Sequence, residues 1–133
     1  NTLSQALRLP DIDFVDLQYG DTSAERKDLE TETGIQIKKI DEIDNFNDID
    51  DLAALINACD IVVTVSNTTA HLAAALGKPT LVLLPQASVV FWYWHREGDH
   101  SPWYPSVRLL RKEDIGDWPS VIDAVTLTLA GIA

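Results

Sequence analysis

Ile61-Val62-Val63-Thr64-Val65 runs directly into Ser66-Asn67-Thr68-Thr69, and from there into Ala70-His71-Leu72-Ala73-Ala74-Ala75-Leu76-Gly77-Lys78-Pro79. The opening residues are almost all β-branched and apolar, without alternation. That is the pattern of a central parallel strand covered on both faces. The closing residues begin as an alanine-rich helix. They reach Gly77 where helices turn left-handed, then Pro79, which cannot continue a helix. Between strand and helix lie four small polar residues. Thr80-Leu81-Val82-Leu83-Leu84 reads as the next buried strand, closed by Pro85. Strand, polar turn, helix and strand in succession make a βαβ unit, and hence part of a parallel sheet.

On the N-terminal side, Leu52, Leu55, Ile56 and Cys59 recur at helical spacing and form a core-facing stripe. Six acids precede that stripe: Asp41, Glu42, Asp44, Asp48, Asp50 and Asp51. They read as a solvated loop and a helix start matched to the macrodipole. The EF-hand spacing and its central glycine are absent, which excludes a calcium loop of that kind. Ile35, Ile37 and Ile40 offer a short strand, and Ile12 to Leu17 the first one. Gln18-Tyr19-Gly20-Asp21 is a turn. Thr22 with Glu25 predicts a capping box, opening a helix to about Glu32 that ends near Gly34.

On the C-terminal side, residues 86–106 read as a long loop holding Phe91, Trp92, Tyr93, Trp94, Trp103 and Tyr104. Long loops in compact domains are often functional. Val107 to Leu110 is a last strand. Asp117 is expected to cap a final helix with Pro119 in its first turn and Trp118, Val121, Ile122, Val125 and Leu129 as its apolar stripe. Together these elements predict an α/β fold, a Rossmann-like three-layer αβα arrangement with a mostly parallel sheet of about five or six strands.

Composition narrows the function classes. The chain has 133 residues, enough for one core without disulfides or metals. Its net charge is −11, which argues against nucleic acid and anionic membranes as partners. An apolar run long enough to span a bilayer is missing, and the start shows no signal peptide. The first residue is Asn1 rather than Met, so a fragment of a longer protein is the simplest reading. Cys59, the single cysteine, has no internal partner and reads as a small core residue, which fits a reducing, cytoplasmic compartment.

The chemistry-bearing feature is the turn after Val65. In open α/β sheets, ligands bind outside the carboxyl ends of the strands. The first amides of a helix have no intrahelical partner, and their partial positive charge favours phosphate. Ser66, Asn67, Thr68 and Thr69 add small hydroxyl and amide donors. His71 lies four residues after Asn67, on the same helix face. The competing explanation is ordinary capping by Ser66 or Asn67, with His71 as a packing residue. Neither a G-x-G-x-x-G nor a Walker A pattern occurs. His95 and His100 stand near Glu97 and Asp99 without metal-ligand spacing. Lys78 and Arg96 read as solvated charges. Trp92, Trp94, Trp103 and Tyr104 are placed either to stack on a base or sugar or to pack.

The segment from Val65 to Pro79 resembles the donor-site motif of heptosyltransferase-like glycosyltransferases of family 9: a small polar turn, His-Leu, an alanine-rich helix and Gly-x-Pro. Ser101-Pro102-Trp103-Tyr104-Pro105-Ser106 with Arg108 and Leu109, the start at Leu17-Gln18-Tyr19-Gly20, and Asp48-Ile49-Asp50-Asp51-Leu52 resemble glycosyltransferases fused behind tetratricopeptide repeats. The resemblance covers about residues 12 to 130. It implies that residues 1–133 are a single C-terminal, donor-binding half of a GT-B enzyme within a longer protein. An N-terminal GT-B domain would hold the acceptor, with tetratricopeptide repeats as a further partner. The donor would be a nucleoside-diphosphate sugar, carrying a hexose or heptose. Ser66, Asn67, Thr68, Thr69 and His71 would surround its diphosphate, with Gln18 and Tyr19 at the same crevice. Neither metal nor cofactor is implied. Ser66, Asn67 and Thr68 depart from the Asp, Thr and Gly usual in heptosyltransferases, which bears on the sugar.

Two other readings compete. A non-catalytic interaction module would keep the fold and lose nucleotide binding. A GT-B-like epimerase would need a carboxylate pair placed for proton transfer, and spacing identifies none. On the leading reading the half-enzyme alone binds nucleotide weakly and turns over little.

Overall fold

The computed structural model describes residues 4–85, 91–112, 114, 116 and 118–132. Its helices are α1 (Ser4–Leu7), α2 (Ser23–Thr33), α3 (Ile49–Ala58), α4 (Thr68–Ala75) and α5 (Trp118–Ala130). Its strands are β1 (Phe14–Val15), β2 (Ile37–Lys38), β3 (Val62–Val65), β4 (Thr80–Leu84) and β5 (Val107–Arg111). A 3-10 turn covers Trp92–Trp94.

Among the described residues the pairings between these strands are all parallel, and one isolated antiparallel bridge joins His100 to Arg108. The order β3-β4-β5 forms a three-stranded sheet, and β1 with β2 forms a separate pair. β4 is the central strand, whereas β3, expected to be central and covered on both faces, lies at an edge of the described sheet with Val65 exposed. The class is therefore the expected mixed α/β with parallel strands, but the five strands are divided and the largest sheet is smaller than expected. β1 and β2 hold only two ladder positions each, because Asp13 and Asp16 interrupt the apolar run from Ile12 to Leu17.

β4 shows how the layers arise. All five of its residues are buried, and side chains alternate across a strand. Leu81 and Leu83 join Leu110 and the α5 stripe Val121, Ile122, Val125 and Leu129, with Ala6 of α1. Val82 and Leu84 join Val107, Leu109, Ala70 and Ala74 of α4, and Trp94. A third cluster unites Leu52 and Ile56 of α3 with Val62 and Ala73. Helices thus cover both faces of the sheet.

The helix boundaries follow their caps. Asp48 accepts from the amides of Asp50 and Asp51 at 3.1 and 3.0 Å. Gly34 closes α2 at φ 75°, where a side chain would be strained. The capping box at Thr22 and Glu25 does not form. Thr22 occupies the N-cap position without a side-chain cap bond, because its hydroxyl donates to the buried Asp16 carboxylate. Asp21 takes the Ser23 amide instead, at 3.0 Å. Cys59 is half-buried rather than part of the core, since it sits where α3 ends. Burial pushes its thiol up, against a smaller opposing pull from Lys78, which disfavours a reactive thiolate. The expected cap Asp117 lies outside the described residues. So do residues 86–90 of the aromatic loop.

Candidate functional site

The polar turn lies between the last residue of β3 and the first turn of α4. Asn67 is the N-cap: its Oδ1 accepts from the Ala70 amide at 3.0 Å, and Thr64 Oγ1 lies 3.2 Å from the same oxygen. This fixes the orientation of the amide, because the oxygen must face a donor. The capping role weighed for Asn67 is thus observed. Thr68 and Thr69 supply the first helical amides, which lie beyond the helix's own ladder.

The other two polar side chains are tied to the aromatic segment. The Trp94 indole N–H donates to Ser66 Oγ at 2.8 Å. His71 stacks on the Trp94 ring, with centroids 4.8 Å apart and planes 17° from parallel. Tyr93 and Tyr104 meet the imidazole edge-on. The Tyr104 hydroxyl lies 3.2 Å from His71 Nδ1. Ser66, Asn67, Thr68, Thr69 and His71 are therefore gathered at one junction, and Ser66, Asn67 and His71 each spend part of their hydrogen-bonding capacity inside the fold.

Gln18 and Tyr19 occupy the loop at the carboxyl end of β1. Among the described residues no hydrogen bond or ring contact joins them to the turn. The Gln18 amide donates to Asp16 Oδ1 at 2.9 Å, while its carbonyl accepts from Lys39 Nζ at 2.5 Å and Asn45 Nδ2 at 3.2 Å. Tyr19 leans on Phe46, with centroids 5.5 Å apart. The residue that sequence reasoning missed here is Asp16, only 6% exposed. Arg26 Nε and Lys39 Nζ stand 3.5 and 3.8 Å from it. An acid inside an otherwise apolar strand was the available signal.

The aromatics separate into two kinds. Trp94 is fully buried, and Tyr104 half-buried beside it. Trp92 and Trp103 meet edge-to-face at the surface, 76% and 58% exposed. Arg111 anchors the segment from β5: Nη2 donates to the Trp94 carbonyl at 2.6 Å and Nε to the Gly98 carbonyl at 3.1 Å. Burial lowers the affinity of that guanidinium for its proton. His100 pairs with Asp99 at 2.7 Å on the surface, and this contact holds the Asp99 carboxyl below its ordinary range.

Residues 46–121, more than half of the chain, match the profile of glycosyltransferase family 9 (heptosyltransferase). The chain belongs to this family. The matched span contains α3, the polar turn, α4 and the whole β3-β4-β5 sheet. Protein FlbA of Caulobacter vibrioides is 39% identical over 128 residues, which cover 96% of this chain and 21% of that relative. The chain therefore spans about a fifth of the relative's length. No solved structure matches. Among the described residues of this family 9 chain, no helix is long and apolar enough to cross a membrane.

Proposed function

We propose that the chain is the nucleotide-sugar-binding domain of a glycosyltransferase, one C-terminal GT-B half of a longer protein. Its partners on this reading are an N-terminal GT-B domain, which holds the acceptor, and tetratricopeptide repeats. The observation that supports it is the geometry at α4. Asn67 caps Ala70 and leaves the Thr68 and Thr69 amides at the head of a helix that starts where β3, a parallel strand, ends. That position favours a diphosphate, through the amides and the helix dipole together. Ser66 and His71 flank it, and Gln18 and Tyr19 form the neighbouring rim. The role of these groups is electrostatic. They stabilise the negative charge that grows on the nucleoside diphosphate as the sugar leaves.

Asn67→Asp is the sharpest probe. Asp caps a helix about as well as Asn, so the fold is expected to keep its unfolding midpoint within about 2 °C. The substitution replaces an amide donor with negative charge beside the diphosphate. Calorimetric titration with UDP, GDP and ADP is expected to show affinity for the preferred nucleotide falling at least about tenfold, some 1.4 kcal/mol. His71→Ala is expected to lower it at least about tenfold, by removal of one hydrogen bond to a charged group. Unchanged affinity in both variants contradicts the site assignment.

A further inference from the structure

Ser66, Asn67 and His71 each place a side-chain acceptor or ring nitrogen against a partner within the fold. Ser66 Oγ receives the Trp94 indole N–H. Asn67 Oδ1 receives the Ala70 amide. His71 Nδ1 faces the Tyr104 hydroxyl. In the first two contacts the partner is a nitrogen that only donates, so the direction is fixed. What these side chains have left to offer a ligand is a hydroxyl proton on Ser66 and the amide protons of Asn67. The third contact has two possible directions, and the choice decides whether His71 fits the same scheme.

We propose that Tyr104 is a positioning residue whose hydroxyl donates to His71 Nδ1 and holds the imidazole as its Nε2–H tautomer, so that His71 presents a hydrogen-bond donor to a diphosphate. This rests on the nucleotide-sugar reading above. An unprotonated imidazole nitrogen is a better acceptor than a phenolic oxygen, whose lone pair is shared with its ring, and the phenol is the better donor. The opposite direction would turn Nε2 into an acceptor and aim a lone pair at an anion. Tyr104 is well placed to impose the choice, because its backbone is fixed at two points and that of Trp103 before it at a third. Ser101 Oγ accepts from the Trp103 and Tyr104 amides, both at 3.2 Å, and the Tyr104 carbonyl accepts from the Val107 amide at 3.0 Å. Ser101 itself is buried. The imidazole cannot easily rotate away, since Trp94 stacks on its face and Tyr93 stands at its edge. Among the described residues Nε2 has no partner. A tautomer fixed by the hydrogen bond at the other ring nitrogen is the general way in which histidine is oriented.

Tyr104→Phe keeps the ring and removes only the hydroxyl. Nitrogen-15 NMR of His71, in buffer alkaline enough for imidazole to be neutral, is expected to show the Nε2–H form in the parent chain and a mixture of both tautomers in the variant. Affinity for a nucleoside diphosphate is expected to fall about fivefold in the variant, while affinity for the same nucleoside without phosphate stays unchanged. A proton on Nδ1 in the parent overturns the proposal. So does a variant with the parent's tautomer, or one with the parent's diphosphate affinity. The two failures are distinguishable. A parent chain with the expected tautomer that binds no nucleoside diphosphate overturns the nucleotide reading, and with it the ligand role given to His71. The Nδ1–H tautomer in a chain that does bind overturns the role of Tyr104 alone.

Discussion

Trp94→Ala is expected to lower the unfolding free energy by about 4 kcal/mol, a large share of the margin of a domain whose stability is on the order of 5–15 kcal/mol. Trp94 is fully buried between β4, β5 and α4, at the centre of the cluster formed by Ala70, Ala74, Val82, Leu84, Val107 and Leu109. Truncation removes the largest fully buried side chain of the fold and opens a cavity that the surrounding strands cannot close. The polar cost adds to it. Ser66 loses its donor, and His71 loses the ring on which it stacks. Trp92→Ala is the control. It has the same chemistry two positions away, but the side chain is exposed, and the expected change is within about 0.5 kcal/mol. Urea denaturation at 25 °C reads both. A loss at Trp94 below about 1 kcal/mol would mean that the aromatic segment does not brace the turn.

The second large effect is expected at Asp16. Asp16→Ala is expected to cost about 3 kcal/mol, because it strips one buried carboxylate from four partners at once. Those partners are the Gln18 amide, the Thr22 hydroxyl, Arg26 and Lys39. Both cations retain some exposure and recover part of their hydration, so the loss stays below that of a fully enclosed ion pair. Asp13→Ala is the comparison. Asp13 pairs with Lys38 at 2.8 Å, a shorter distance than either Asp16 ion pair, yet its side chain is 80% exposed. Exposed pairs contribute about 0–1 kcal/mol. Burial and the number of partners, not the distance, decide which acid matters. Hydrogen exchange at the Gln18 amide is expected to accelerate in Asp16→Ala and to stay unchanged in Asp13→Ala. Equal stability losses in the two variants would contradict this ordering.

These two residues also mark where the sequence was and was not legible. β4 was readable to the residue because a strand covered on both faces gives an almost unbroken apolar run, and β3 nearly so because its residues are all β-branched. The stripes of α3 and α5 were readable because helical spacing leaves a repeated signature. α1 was not, since four residues are too few to show a period. The capping box failed for a reason no local pattern holds: a buried acid six positions earlier competes for the Thr22 hydroxyl. The same limit applies at the site. Small polar residues between a buried strand and a helix indicated the turn, and Ser66, Asn67, Thr68, Thr69 and His71 do lie together there. Their partners were hidden, because Trp94 is 28 positions from Ser66 and Tyr104 is 33 from His71. Nor does composition tell which of Trp92 and Trp94 faces the core. The 3-10 turn decides that by placing them on different sides.

The division of labour that results is simple. The sheet and α4 place a helix N-terminus at a strand's end. The aromatic segment, held by Arg111, packs against the turn and bonds Ser66 and His71. The departure of Ser66, Asn67 and Thr68 from the Asp, Thr and Gly usual in heptosyltransferases leaves the helix amides untouched, since those belong to the backbone. On the proposed reading it alters contacts to the sugar rather than to the diphosphate.

The central claim is that a nucleoside diphosphate sits on the amides that open α4. Proton–nitrogen-15 correlation NMR of the chain, titrated with UDP, GDP and ADP, tests it most directly. The account predicts that at least one of the three moves the Thr68 and Thr69 amide resonances downfield and saturably, with Ser66 and His71 following. Saturable shifts confined to other regions, or no saturable shift with any of the three, would contradict it.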